Sequence, residues 1–460
     1  FYPSISGSWL VHNTFNLPDW ITFLKVRGSW AQVGNDTEPY IINTAYSLET
    51  SNTVNGKVYS LILPSTVYDL DLKPERKKAW EVGLDWRFLD NRINLDLAYY
   101  KENTYDQIMP IAVPYVSGIS RQYINAGNIQ NKGIELTLST VPYTSQDLEW
   151  TLDFTYTKNE NKIIDLHENV ADYITLSGTP DYGNYRIGSV AKIGASYGLL
   201  LSDSKMAIDE KSGLPILRWN DSHRASYYAR SGKVEEVGSM IPDFLGSIST
   251  GIRYKNWNLR ALFDMRFGGL VASYGSRYGT AYGYTKASLK YSAPEYGGVT
   301  WTSKYDGLTY YDGVIPEGII PAGTKITQPD ESIYTVAEGG ETFESLYEKG
   351  IVEPTHASAW HYRVNNWGSG VVNDNWVSKL NYIALRELTL TYQVPQAFAK
   401  KMGATNLNLS LSGRNLGYLL NNMPNGENPE SIRGTAASEF RVRTFSGFTG
   451  NYMFTVNVSF

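Results

Sequence analysis

The sequence contains no cysteine and only five histidines among its 460 residues. Disulfide scaffolds and thiolate metal sites are excluded, although the compartment stays open. No uninterrupted apolar run approaches the ~20 residues of a spanning helix, and the mean hydropathy is −0.32, which excludes a helical membrane protein. A β-barrel survives that test, because its strands carry apolar residues only at alternate positions. A large charge of one sign is also lacking: the net charge of −5 implies no nucleic-acid partner. There is no phosphate-cradling glycine loop and no visible signal peptide. The opening residues, from Phe1 to Trp9, already read as strand. The expectation is a portion of a longer protein.

What is present is alternation. Trp80, Val82, Leu84, Trp86 and Phe88 oppose Glu81, Asp85 and Arg87. Ile93, Leu95, Leu97 and Tyr99 oppose Asn94 and Asp96. The same two-residue period runs through 134–139, 148–156, 257–267 and 407–412, and more weakly through 4–12, 24–33, 243–254 and 382–394. It closes the chain, where Tyr452, Phe454, Val456, Val458 and Phe460 oppose Thr455, Asn457 and Ser459. A strand puts alternate side chains on opposite faces, so each segment has one apolar and one polar face. With ambiguous pieces near 108–113 and 195–202, about a dozen strands are expected, many near the ~10-residue length of a tilted spanning strand. Turns near 18–23, 89–91, 142–147, 255 and 395–405 are short. Segments 34–78, 102–130, 159–242, 269–378 and 416–446 are long. If structureless, loops of this length count against a soluble fold. In an outer-membrane barrel, short periplasmic turns and long extracellular loops are the rule.

The polar stripe carries mid-strand charges of both signs, including Asp85, Arg87, Asp96, Arg260, Asp264 and Arg266. On a lipid face an Arg or Lys would cost ~2–4 kcal/mol at the midplane, so these side chains are expected to face a watery lumen or a plug. The fold expected is all-β: an antiparallel transmembrane β-barrel of the outer-membrane type. The terminal aromatic strand, with Tyr452, Phe454 and Phe460, resembles the signal by which bacterial outer-membrane proteins are recognised for insertion. A soluble β-rich adhesin or glycan-binding module would show similar stripes and is the rival of a different class.

Several segments are more specific: 72–84 (LKPERKKAWEVGL), 92–101 (RINLDLAYYK), 125–136 (NAGNIQNKGIEL), 254–259 (YKNWNL), 385–392 (LRELTLTY) and 413–416 (GRNL). In this order and spacing they resemble the C-terminal half of a SusC/RagA-type TonB-dependent transporter of Bacteroidota. The resemblance implies a barrel of about 22 strands with an N-terminal plug, of which residues 1–460 form the last half as one unit. It implies a SusD-like surface lipoprotein as lid, pairing of two transporter–lipoprotein units, and energy from a TonB–ExbB–ExbD complex acting through a TonB box outside this chain. It also implies cargo of oligosaccharides or peptides. A siderophore or cobalamin receptor, or a passive porin, shares the architecture but not these segments.

No enzyme, cofactor or metal is expected. The Gly194–Gly198 segment matches a nucleophile-elbow pattern but is followed by strand-like Leu199-Leu-Leu, not a helix. His356 and His361 are five apart in a loop-like stretch, not the i, i+4 pair of a helical zinc site, and read as surface residues. The segment 341–350 reads as a short helix stopped by Gly350. Segment 269–378 is rich in Tyr and Trp, whose flat rings with polar tips suit sugar stacking and peptide contact. Trp301, Tyr305, Tyr310, Tyr311, Trp360 and Trp367 are the candidates for cargo contact. The alternative is that these rings pack the loop on itself or against the lid.

Overall fold

The computed structural model describes residues 1–460 apart from 44, 54–55, 114, 120, 169, 171, 182–185, 367–369, 433–437 and 443–446. Eleven strands join in strict chain order into one antiparallel sheet. They are β1 (Ser4–Leu10), β2 (Ile21–Asn35), β3 (Glu75–Phe88), β4 (Ile93–Tyr105), β5 (Gly127–Thr144), β6 (Leu148–Leu166), β7 (Phe244–Tyr254), β8 (Trp257–Phe267), β9 (Tyr382–Gln393), β10 (Asn406–Asn421) and β11 (Asn451–Ser459). Sequence neighbours are sheet neighbours throughout, the order of an up-and-down barrel wall. Among the described residues β1 and β11 each pair on one edge only, so the wall is open within this chain. Two expected strands lie elsewhere: Ile108–Ala112 and Leu199–Ser202 pair in small separate sheets.

The turns sort by end. At one end the connections are 11–20 with α1 (Val11–Thr14), 89–92, 145–147, 255–256 and 394–405. At the other they are 36–74, 106–126, 167–243, 268–381 and 422–450.

Strand register keeps the two faces separate. Asp85 lies opposite Lys25 and Asp96, Asp96 opposite Thr137, and Thr137 opposite Thr155. Arg260 lies opposite Gly251 and Thr389, and Thr389 opposite Ser412. The alternate face is apolar, and Trp80, Val82, Ile134, Leu259, Leu390 and Leu411 all remain exposed on it. A continuous apolar sheet face in the open is what a membrane covers and a soluble protein avoids.

The long connections are not structureless, which corrects that expectation. Segment 167–243 holds a four-stranded sheet and a separate hairpin, Leu217–Asn220 with Ala225–Tyr228. Segment 268–381 holds α2 (Tyr274–Ala281), α3 (Phe343–Glu348) and α4 (Ala357–Asn365). Leu270–Ser273 pairs antiparallel with Val377–Lys379 and parallel with Arg441–Val442. Ile187, Leu200, Ala272, Tyr274, Trp376 and Phe440 form one core drawn from three loops. Leu217 joins Ile320, Ile326, Phe343 and Leu346 in another. The loops thus fold into a cap with apolar cores of its own. The expected helix is α3: Thr342 accepts from the Ser345 amide at 3.2 Å and Gly350 follows at φ 71°.

Candidate functional site

On the polar face, charges pair across strands. Asp85 lies 3.7 Å from Lys25 Nζ and 3.4 Å from Arg87 Nε. Arg27 of β2 donates two hydrogen bonds to Asp96 of β4, each 2.9 Å, and its Nε lies 3.6 Å from Glu81. To reach Asp96 the guanidinium must cross β3, and it does so over Gly83. A Cβ there would sit 2.5 Å from the guanidinium carbon. A larger residue at this point would push the Arg27 side chain aside. Asp85 and Arg87 therefore share one cluster with Lys25, and Asp96 sits in a neighbouring one with Arg27 and Glu81.

Asp264 belongs to a third. It accepts from Arg386 at 3.1 and 2.7 Å, and Arg386 also pairs with Glu430 at 2.6 and 2.5 Å. By plain alternation Arg386 would share a face with Leu388 and Leu390. The pairing of β9 slips between Leu262 and Phe263 on one side and between Leu385 and Glu387 on the other. That bulge turns Arg386 toward Asp264. It ties the wall to the 422–450 loop. Arg266 donates to the Met240 carbonyl at 3.2 Å, a second tie between wall and loop. Arg260 is exposed and lines a recess of about 320 Å³ with Glu149, Asp153, Arg253 and Asn258. The sequence reading missed Lys25, Arg27, Arg386 and Glu430. The alternation of Lys25 and Arg27 with Leu24 and Val26 was the available signal for the first two.

In the cap, Trp301 and Trp360 are buried. Trp301 packs on Tyr310 and His356, with centroids 5.1 and 5.0 Å away, and Trp360 meets Tyr228 edge-on at 5.1 Å. These two rings pack within the cap. Tyr305 is half-buried, donates to the Thr327 carbonyl at 2.9 Å and carries Arg224 over its ring at 3.9 Å. Burial pushes its phenol pKa up. Tyr310 donates to Asp306 at 2.7 Å, and Tyr311 is exposed. Trp367 lies outside the described residues. His361 is buried, not a surface residue as expected. Its Nε2 lies 2.8 Å from the Lys290 carbonyl, and burial lowers its pKa. His356 pairs with Asp312 at 3.0 Å. A cleft of about 580 Å³ opens beside these groups, lined by His223, Tyr282, Asp312, Tyr362 and Arg363. Tyr282 and Tyr362 meet edge-on at 5.8 Å and are both exposed. Among the described residues no cluster of three or more metal-ligating side chains occurs.

Tyr452 and Phe454 share the exposed apolar face of β11, and Phe460, just past its end, is exposed as well. The family model for the TonB dependent receptor-like β-barrel matches residues 1–312. The chain belongs to that family. The TonB-dependent receptor P3 of Formosa agariphila is 24% identical over 431 residues, covering 90% of this chain and 37% of that protein. The TonB-dependent receptor SusC of Bacteroides thetaiotaomicron is 22% identical over 276 residues, covering 56% of this chain and 26% of its own length. Among solved structures, the RagAB peptide transporter matches with a TM-score of 0.65 at 17% identity, over 100% of this chain and 43% of that chain. This outer-membrane TonB-dependent receptor barrel is similar in sequence to SusC and in fold to the RagAB transporter, and it spans less than half the length of these relatives.

Proposed function

We propose that the chain supplies the C-terminal half of the barrel wall in an active importer of oligosaccharides or peptides. The polar face lines the lumen, and the Asp85, Arg87, Asp96, Arg260, Asp264 and Arg266 side chains meet a plug or the solvated path. The apolar face meets lipid, with Tyr452, Phe454 and Phe460 serving as the insertion signal. The folded cap receives cargo under a SusD-like lipoprotein lid. A TonB–ExbB–ExbD complex supplies the energy through the part of the transporter outside this chain, and two transporter–lipoprotein pairs associate.

The observation that carries this reading is the junction of a two-faced wall with an ordered, tyrosine-rich cap. A passive pore needs no cap with its own cores. Cargo contact falls to Tyr305, Tyr310 and Tyr311, beside the cleft lined by Tyr282 and Tyr362. Their polar tips and flat faces bind at small entropic cost. Trp301 and Trp360 pack behind them, and Trp367 is a further candidate for cargo contact.

The test is uptake of labelled oligosaccharides and peptides by cells carrying the full-length transporter, with and without TonB. Uptake that stops without TonB supports active import; uptake that continues unchanged would establish the porin reading. Tyr305→Ala with Tyr311→Ala should weaken cargo capture while leaving assembly of the barrel intact.

A further inference from the structure

The connection between β9 and β10 folds back instead of projecting from the wall. In it, α5 (Gln396–Lys401) and the turn that follows set Ala399 and Ala404 against Leu407 of β10, with Val394 and Leu409 packed around them. Leu409 lies opposite Tyr392 and Val456, and Tyr392 lies opposite Trp257. All of these belong to the apolar face of the wall. The helix therefore sits on the apolar side of the wall, at the short-turn end.

A turn solvated by water has no use for large apolar side chains. Here Phe398 is 59% exposed and Met402 is 69% exposed. Four residues apart, they lie on one side of the helical turn. Lys401 Nζ lies 5.7 Å from the centre of the Phe398 ring, and Lys400 is its neighbour in the last turn. The adjacent β7–β8 turn repeats the chemistry. Lys255 Nζ lies 5.5 Å from the Tyr254 ring centre, Tyr254 and Trp257 are exposed, and Trp257 packs on Tyr392 at 4.6 Å. The apolar belt of the wall thus runs without a break into α5, and a rim of lysines borders it. Amphipathic rings and long cations are the groups that sit at a membrane interface, ring or stem in the acyl region and charge at the headgroups.

We infer that α5 is an interfacial anchor that binds glycerophospholipid in the leaflet at the short-turn end. Phe398 and Met402 enter the acyl region, and Lys400 and Lys401 take the headgroup phosphate. The inference rests on the outward orientation of the apolar face proposed above.

Residues 1–460 contain no cysteine, and any cysteine elsewhere in the full-length protein is replaced before labelling. Spin labels are placed singly by Phe398→Cys, Met402→Cys, Leu411→Cys on the wall and Tyr284→Cys on the exposed cap. The full-length protein is held in nanodiscs of phosphatidylcholine and phosphatidylglycerol, and collision with oxygen is compared with collision with a water-soluble nickel chelate. Labels at 398 and 402 should favour oxygen, as at 411, while 284 favours nickel. Nickel-accessible labels at 398 and 402 beside an oxygen-favouring 411 would overturn the anchor alone. A nickel-accessible 411 would overturn the wall orientation itself. In a second arm, Lys400→Gln with Lys401→Gln should reduce phosphatidylglycerol retained in native mass spectrometry, on the order of tenfold for two lysines near an anionic surface. Equal retention would overturn the phosphate contact.

Discussion

Phe343→Ala tests whether the cap is a folded unit in its own right. Phe343 opens α3, is fully buried, and packs in the cluster that contains Leu217, Ile320, Ile326, Leu346 and Val352. Truncating a buried Phe to Ala typically costs about 3–5 kcal/mol, part from lost transfer energy and part from the cavity left behind. None of the residues in this cluster comes from a wall strand. The loss should therefore fall on local opening of the cap and not on the wall. At 1.4 kcal/mol per tenfold, the open population rises by roughly a hundred- to a few-thousand-fold. Limited proteolysis follows that population when opening and closing are fast relative to cleavage. Cleavage within 300–356 should accelerate in the purified full-length protein, while the folded barrel keeps its heat-modifiable mobility on a gel. Phe343→Leu should show a smaller effect in the same direction. Unchanged cleavage in the alanine variant would refute the cluster as a core. Loss of the barrel band would refute the separation of cap from wall.

Arg386→Met should loosen the 422–450 loop, because it leaves Asp264 and Glu430 without their shared cation. Breaking a fully buried pair costs about 3–5 kcal/mol; with both carboxylates about two-fifths exposed, roughly 1–3 kcal/mol is expected here. Hydrogen exchange near 428–432 should rise, and unchanged protection would show that the bulge has no anchoring role. Burial holds the His361 imidazole below its ordinary value of 6.5, so the unfolded chain binds more protons as pH falls. The neutral ring's contribution is therefore present above 6.5 and is lost progressively below it, down to the folded value. His361→Gln should flatten that part of the cap's acid sensitivity, and an unaltered pH profile between 5 and 7, roughly the range where histidine titrates, would contradict it. Removing Phe460 should lower the amount of assembled barrel in cells; normal levels would argue against the insertion-signal reading.

The wall was legible because its signal is local. A two-residue period over Trp80–Phe88, Leu148–Tyr156 or Trp257–Phe267 fixes both the strand and its faces without reference to any other segment. The cap was not, because its pairings are remote. Leu270–Ser273 needs Arg441–Val442, and Ile216 bridges Ile319. No local pattern marks either. Ile108–Ala112 and Leu199–Ser202 look like wall strands by composition, yet their partners assign them to small sheets. The site divided the same way. The wall charges were legible as a stripe, but the Arg27 crossing depends on Gly83 being bare two strands into the sheet, and Arg386 depends on a bulge. Burial of Trp301, Trp360 and His361 follows from long-range packing that a list of rings in one loop does not contain.

The central claim is that the two faces of this sheet meet two different media, water within and lipid without. Single cysteines along β8, introduced one by one from Asn258 to Arg266 with any cysteine outside residues 1–460 replaced, test it most directly. Labelling of the full-length protein in native outer membranes by a small, charged thiol reagent should alternate, with 258, 260, 264 and 266 reactive and 259, 261, 263 and 265 protected. Uniform labelling, or alternation of the opposite phase, would contradict the account.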